Sequence, residues 1–375
     1  MSTPHDAGAG TEQDASRGLA VPAQVDPGSA EAPQRRRDLP RCSDAARERC
    51  DPLGATAAWT HRWLLLEHPG PWAPDALAGS GLPEDRQQQL REAAAAAGGR
   101  VLLVRRPGGR RTPGVPASTA PAGAPDDAEL SETAGARRWA VVDQPSGLVR
   151  WGWWDADAAR PDAPPQAGAG LDRAAAALAE PVVRGRDGGT DAPVLLVCAH
   201  GRHDACCAVR GRPVAAALAA RWPAATWECS HVGGDRFAPN LLVLPDGAYY
   251  GDLDPGSAEQ VVADHLAGAV GTRHLRGVSS GPPVVQAAVL GVLGRFGPAP
   301  VRAARGGAPV PVGEDRWEVV VTGSTPLPAR CVVTVARSRR APARLTCRAP
   351  GEAVAAVHEA VDVRVEDVDD EARST

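Results

Sequence analysis

Lysine is absent from this sequence, and tyrosine and phenylalanine are scarce, with two residues of each. Arginine therefore carries the basic charge, and it is scattered through a chain whose net charge is −4. A protein that binds nucleic acid normally concentrates basic residues in one patch. Because no basic block occurs here, the composition indicates a protein that does not bind nucleic acid.

Long apolar runs are also missing. No segment approaches the roughly 18 consecutive apolar residues of a membrane-spanning helix, and residues 1–38 lack the apolar core of a signal peptide. We therefore expect a cytoplasmic protein without a membrane partner. In that reducing compartment, eight cysteines among 375 residues are too few for a disulfide scaffold and are more typical of metal ligands or redox groups.

The pattern of short apolar runs and alanine-rich stretches predicts an α/β protein. The order strand, helix, strand, hairpin occurs twice, which predicts two similar halves of thioredoxin-like type. Composition predicts a disordered tail at the N-terminus and an acidic tail at the C-terminus. The six predicted segments are the N-terminal tail (1–38), a first half without ligands (39–155), a linker (156–190), a second half (191–297), a small β-rich module (308–362) and the acidic tail (363–375).

Individual elements follow from the same patterns. Residues 106–136, rich in Pro, Gly and Ala, are predicted to form a surface insertion. In the second half we predict a strand at 194–197, a loop at 201–211 and a helix at 212–222. The C-terminal module is predicted to contain strands at 317–321, 331–336 and 343–347.

Four of the eight cysteines and three of the nine histidines lie in two segments of the second half, residues 194–207 and 227–240. Cys198 ends the first predicted strand, and Cys207 follows after eight intervening residues. His231 and Asp235 are separated by Val-Gly-Gly. The two glycines allow the backbone to approach a ligand closely, and their N–H groups can form a nest for an anion.

A 2Fe–2S cluster takes four protein ligands, two for each iron. Cys198 and Cys207 are the first predicted pair, and His231 is the strongest member of the second pair. The fourth ligand is predicted to be Asp235 or Cys229, and Cys206 is an alternative to Cys207.

Other interpretations of these residues remain open. A structural zinc ion takes four ligands, such as three cysteines and one histidine. In this sequence they would be Cys198, Cys207, Cys229 and His231. A metal-free set of buried thiols is another possibility, and so is thiol chemistry at Cys198, Cys206 or Cys207. Four cysteines are isolated in the sequence and are interpreted as structural thiols: Cys42, Cys50, Cys331 and Cys347.

The chain resembles the sucrase/ferredoxin-like family over about residues 39–295. The resemblance rests on the two cysteines with eight residues between them, on the His-Val-Gly-Gly-Asp motif that follows, and on residues 51–56, 63–72, 236–240 and 276–286. Members of the family hold a 2Fe–2S cluster with two cysteines and two histidines in a thioredoxin-like ferredoxin domain. Asp235 stands where the second histidine of the family is expected.

The resemblance implies a one-electron carrier or a redox sensor with an unidentified redox partner, rather than a stand-alone enzyme. Histidine in place of cysteine on one iron removes negative charge and raises the reduction potential. The alternatives are a zinc-stabilised or metal-free interaction module and a thiol-dependent oxidoreductase.

Overall fold

The structure, a computed structural model, describes residues 40–109, 135–156, 168–185 and 188–366. The pattern of internal contacts divides the chain into two units, Met1–Pro40 and Arg41–Thr375. Every element described below belongs to the second unit. The predicted N-terminal tail and most of the predicted insertion at 106–136 lie outside the described residues. The described strands form a nine-stranded mixed sheet and a five-stranded antiparallel sheet, which confirms the α/β class.

The first half begins with an apolar strand that is buried throughout its centre. A helix connects this strand to a parallel neighbour, and an antiparallel hairpin extends the sheet on the other side. After the short helix α1 (Cys42–Glu48), the elements of this half are β1 (Arg62–Glu67), α2 (Glu84–Ala96), β2 (Gly99–Arg105), β3 (Ala136–Asp143), β4 (Leu148–Asp155) and α3 (Ala169–Ala179).

The second half repeats this plan. Its first two strands are parallel and joined by a helix, and two antiparallel strands follow before the next helix. The elements are β5 (Val194–Cys198), α4 (Ala205–Arg221), β6 (Thr226–Cys229), β7 (Leu241–Leu244), β8 (Ala248–Tyr250), α5 (Pro255–Leu266), β9 (Leu275–Val278) and α6 (Pro283–Phe296).

Strand order shows that the two halves are topologically equivalent. The nine-stranded sheet runs β4-β3-β1-β2-β6-β5-β7-β8-β9, so each half has the same internal order. The corresponding strands β2 and β6 pair antiparallel at the junction, with Val104 opposite Cys229. The predicted pair of similar halves is therefore present. The two halves form one continuous sheet, so the sheet does not mark where one predicted segment ends and the next begins. The segment boundaries therefore stay a prediction.

Three apolar clusters organise the core, and alternation along the strands decides which residue enters which cluster. Leu64 and Leu66 face the helices of the first half. Trp63 and Leu65 face a central cluster to which strands of both halves contribute. Helices α4, α5 and α6 cover the outer face of the second half. The candidate cysteines Cys198 and Cys207 belong to the shared central cluster.

The C-terminal module is the five-stranded sheet, formed by β10 (Ala304–Gly306), β11 (Val310–Gly313), β12 (Arg316–Gly323), β13 (Arg330–Arg339) and β14 (Ala356–Val365). The predicted strand at 343–347 is wrong, because Ala343 makes only an isolated bridge to Ala353 and Cys347 lies in a turn. The last strand is β14, which pairs with β13 and includes the first residues of the predicted acidic tail. Its frequent charged residues and mostly exposed positions hide it from a search for apolar runs.

The helix predicted at 212–222 begins seven residues earlier, at Ala205, so the predicted loop at 201–211 is wrong after Asp204. The Asp204 side chain accepts a hydrogen bond from the Cys206 amide and caps the helix. Gly211 and Pro213 look like helix breakers in the sequence, but both lie inside α4. As a result, Cys206 and Cys207 lie in the first turn of a helix rather than in a loop.

Candidate metal centre

The candidate centre lies where three segments of the second half meet. Cys198 is the last residue of β5, Cys207 lies in the first turn of α4, and His231 follows β6. Helix and strand are in close contact, since a Cβ added at Gly211 would lie 2.1 Å from the Cys198 carbonyl oxygen. This contact keeps the Cys207 end of α4 against the end of β5.

The structure brings together three of the predicted ligands. The sulfur atoms of Cys198 and Cys207 and a ring nitrogen of His231 all lie within 4.8 Å of one another. Both cysteines are fully buried. Soft thiolates together with imidazole are a donor set suited to zinc and to iron–sulfur clusters. The described residues can therefore hold a metal at this point.

Asp235 lies beside the same three residues. Its Oδ1 is 3.3 Å from the Cys207 sulfur and 3.1 Å from His231 Nδ1. The second contact is not aligned as a hydrogen bond, and His231 Nδ1 is a buried atom without a hydrogen-bond partner among the described residues. The Asp235 carboxylate is therefore the charged neighbour of this nitrogen.

The two thiols differ in acidity. A hydrogen bond from Cys207 lowers the pKa of Cys198 far below its usual value, against the effect of burial and with help from His231. The same hydrogen bond, together with burial, raises the pKa of Cys207. Cys198 is consequently the more acidic of the two thiols, and a thiolate is the form that binds metals.

The two charged partners of the thiols stabilise each other. Burial opposes the charge on His231, but Asp235 and Cys198 outweigh burial and raise the pKa of the imidazole to about 9. Burial also acts to raise the pKa of Asp235, yet His231 and His203 outweigh it and lower that pKa.

His203 connects this group to the surface. Its ring stacks on His231 with 3.7 Å between centroids, and its Nε2 lies 3.8 Å from Asp235 Oδ2. The His203 side chain is 36% exposed, against 7% for Asp235. The stacked imidazoles therefore form the solvent-facing side of the site.

The buried side chain of Arg276 supports the loop that carries His231 and Asp235 through hydrogen bonds. The Arg276 guanidinium donates hydrogen bonds to the Gly233 carbonyl oxygen (2.9 Å) and to Asn240 Oδ1 (2.8 Å). Asn240 in turn donates to the Gly234 carbonyl oxygen at 2.9 Å. Both glycines have positive φ, 93° and 78°, which favours glycine at each position. Arg276 was not recognised as a site residue from the sequence, although it begins the 276–286 stretch of the family resemblance.

The first half supplies the other wall of the site. Arg100 donates long hydrogen bonds, each 3.4 Å, to the carbonyl oxygens of His231 and Val232. His200 Nε2 is 2.6 Å from the Ala73 carbonyl oxygen, and the Trp72 ring meets His200 edge-on at 5.8 Å. Burial lowers the pKa of His200. None of these contacts has a local sequence signal, because they join segments more than 100 residues apart.

Cys229 is positioned differently from Asp235. It pairs with Cys198 across β5 and β6, is fully buried, and lies in the central apolar cluster. Burial raises its pKa well above the usual value, which disfavours the thiolate. Within the described residues, Cys229 joins none of the groups whose ligand atoms lie within 4.8 Å of one another.

Cys206, the predicted alternative to Cys207, points to a separate group. It lies with Cys42 and Cys347, which are isolated in the sequence but neighbours in the fold. Hydrogen bonds from Cys347 and Cys42 lower the pKa of Cys206. The three residues are far apart in the sequence, so no local pattern could reveal the group. The cysteines Cys50 and Cys331 join no such group among the described residues.

The fold and this donor set define an α/β protein with a buried thiolate–imidazole site suited to a metal. Over residues 53–277, more than half of the chain, the sequence matches the family model described as sucrase/ferredoxin-like. The chain belongs to this family, as the resemblance predicted. No curated protein and no solved structure matches the chain. Within the described residues, no helix is both long and apolar enough to cross a membrane.

Proposed function

We propose that the chain binds a 2Fe–2S cluster through Cys198, Cys207, His231 and Asp235, and that it works as an electron carrier or redox sensor. The observation that supports this most directly is the convergence of two buried thiols with a ring nitrogen of His231 within 4.8 Å of one another. Membership of the sucrase/ferredoxin-like family supports the same conclusion.

Asp235 is the proposed fourth ligand because it already contacts two of the others, at 3.1 and 3.3 Å. Cys229 is the less suitable candidate, since burial in apolar surroundings disfavours its thiolate. The carboxylate adds one negative charge opposite the thiolates. His231 must lose its proton before it can ligate, so loading the site releases a proton from the imidazole.

When bound, such a cluster accepts and returns one electron at a time. Hydrogen bonds from Arg276 and Asn240 hold the loop that carries His231 and Asp235. His203 and His231 form the accessible edge, and a redox partner would approach there. The order strand, helix, strand, hairpin, helix in the second half is compatible with a thioredoxin-like fold.

The test is the metal content and spectrum of the full chain purified without oxygen. We expect a brown protein with about two iron and two acid-labile sulfide per chain and an EPR signal after reduction. Asp235→Ala should lose most of this iron, whereas Cys229→Ser should keep it. Cys331→Ser, at a buried cysteine of the C-terminal module, is the matched control and should behave as the wild type.

A protein that stays colourless and free of iron after anaerobic reconstitution would refute the proposal. Loss of iron in Cys229→Ser with retention in Asp235→Ala would instead identify Cys229 as the fourth ligand.

A single zinc ion is the second candidate for this site, because the three ligand atoms lie close enough for one ion to bridge them. It would make the protein a zinc-stabilised interaction module. A colourless protein that loses its zinc in Cys198→Ser would favour the zinc-stabilised interaction module over the iron–sulfur protein.

A further inference from the structure

Three cysteines from distant parts of the chain meet beside the site described above. The sulfur atoms of Cys42 and Cys206 are 3.6 Å apart, those of Cys206 and Cys347 are 3.4 Å apart, and those of Cys347 and Cys42 are 3.5 Å apart. A disulfide requires about 2.05 Å, so no pair is bonded. The three sulfurs form a nearly equilateral triangle.

A carboxylate completes the group. The Asp204 oxygens lie 3.8 and 3.6 Å from the Cys42 sulfur. Hydrogen bonds orient this carboxylate from three donors: Oδ1 accepts from the Cys206 amide (2.8 Å), and Oδ2 accepts from the Thr346 hydroxyl (2.9 Å) and the Cys347 amide (2.6 Å). Asp204 is fully buried and would be costly there without compensation.

These distances match one tetrahedral ion. Zinc bonds to thiolate sulfur at about 2.3 Å and to carboxylate oxygen at about 2.0–2.2 Å. In a tetrahedron, such bonds separate sulfur atoms by about 3.8 Å and place oxygen about 3.5 Å from sulfur. We propose that Cys42, Cys206, Cys347 and Asp204 form a structural zinc site. It is separate from the Cys198–His231 centre, and the proposal does not depend on what that centre binds.

Charge around the group supports an anionic metal complex. A zinc ion with three thiolates and one carboxylate carries two net negative charges. Close by, the buried carboxylate of Asp51 has nitrogen atoms of Arg49, Arg236 and Arg340 at 2.8, 3.5 and 3.9 Å. Three guanidiniums around one carboxylate leave two positive charges. Arg49 and Arg236 lie within electrostatic reach of Cys42.

The position of the site indicates a structural role. Cys42 begins α1, Cys206 lies in the first turn of α4, and Cys347 lies in the turn region between β13 and β14. Cys42 and Cys347 are outside the stretch that matches the family model. A zinc ion here would fasten both flanking segments to the helix that carries Cys207. A closed set of four protein ligands, without an open position, is typical of structural zinc.

The test is zinc analysis of the full chain purified without chelators. We expect Cys347→Ser to hold about one zinc per chain less than the wild type, while the metal content of the other centre is unchanged. Cys347 is chosen because it is only partly buried, so the change of packing is small. Cobalt substitution should give visible cobalt–thiolate absorption that the variant lacks. Cys50→Ser, at an exposed cysteine outside the group, is the matched control.

Stability provides a second measurement. A chelator should lower the melting temperature of the wild type and of Cys50→Ser by more than that of Cys347→Ser, because a metal bound only by the folded state stabilises it. A zinc content in Cys347→Ser and Cys42→Ser equal to that of the wild type would overturn the proposal. So would a zinc-free wild type, or a disulfide between two of these cysteines in native peptide maps. Absence of iron with loss of zinc in Cys347→Ser would refute the cluster proposal and support this one.

Discussion

Replacing Gly234 with alanine should destabilise the protein far more than the same change at Gly233. Both residues lie in the loop between His231 and Asp235 and have positive φ. Alanine at either position therefore costs about 1–2 kcal/mol in backbone conformation. Their surroundings differ. A Cβ at Gly233 meets no atom within 4 Å, whereas a Cβ at Gly234 would lie 2.3 Å from a guanidinium nitrogen of Arg276.

Arg276 cannot move aside cheaply. It is 2% exposed and donates to Thr56 Oγ1 (3.0 Å), the Gly233 carbonyl oxygen and Asn240 Oδ1. A hydrogen bond from a charged donor is worth about 1.5–3 kcal/mol, so displacing the guanidinium enough to strain one or two of them adds about 2–4 kcal/mol. We therefore expect about 3–6 kcal/mol for Gly234→Ala and about 1–2 kcal/mol for Gly233→Ala.

Denaturant unfolding of the two variants, with equal metal loading, measures this difference. The cause is tested by repeating both changes in Arg276→Gln, where the shorter side chain relieves the contact. If the guanidinium is responsible, the excess cost of alanine at Gly234 should shrink by more than half in that background. Equal costs at the two glycines, or an excess that Arg276→Gln leaves unchanged, would refute the steric argument.

Two further predictions concern packing and pH. Gly211→Ala gains about 1 kcal/mol of helix propensity, but its Cβ would lie 2.1 Å from the Cys198 carbonyl oxygen. Overpacking costs about 1–3 kcal/mol, so we expect net destabilisation in denaturant melts and lower metal occupancy; a more stable variant would contradict this. Burial opposes the charge on Asp246, but His265 and Arg302 outweigh it and lower the pKa of the carboxyl group. Its stabilisation is complete above the unfolded value of about 3.9 and is lost as the pH falls towards the lower folded value. Asp246→Asn should therefore flatten the loss of stability in this acid range, and an unchanged pH profile would contradict the assignment.

The sequence was sufficient for features whose cause is local. The apolar run of β1 predicts its own burial, and the repeated order of elements predicts the two halves that the sheet displays. The spacing of Cys198, Cys207 and His231 likewise predicts a convergence, because strand ends and the loops after them meet at one edge of a sheet.

Features that depend on distant contacts were not predictable. Nothing near Arg276 indicates that its side chain supports Gly233 and Gly234, more than 40 residues earlier. Cys42 and Cys347 are separated by 305 residues, and only the folded chain makes them neighbours. The start of α4 differs, because it has a local signal: Asp204 is a recognisable N-cap, although Gly211 and Pro213 interrupt the helical pattern that follows it.

The duplicated fold suggests how the ligand-free half serves the site. The sequence has no cysteine between Cys50 and Cys198, and β1, the counterpart of β5, ends in Glu67 rather than cysteine. Glu67 accepts a hydrogen bond from the Arg138 amide and so takes a structural role. Because β2 and β6 join the halves, the first half presents Arg100 to the carbonyl oxygens of the ligand loop. The first half thus contributes contacts that position the loop following His231.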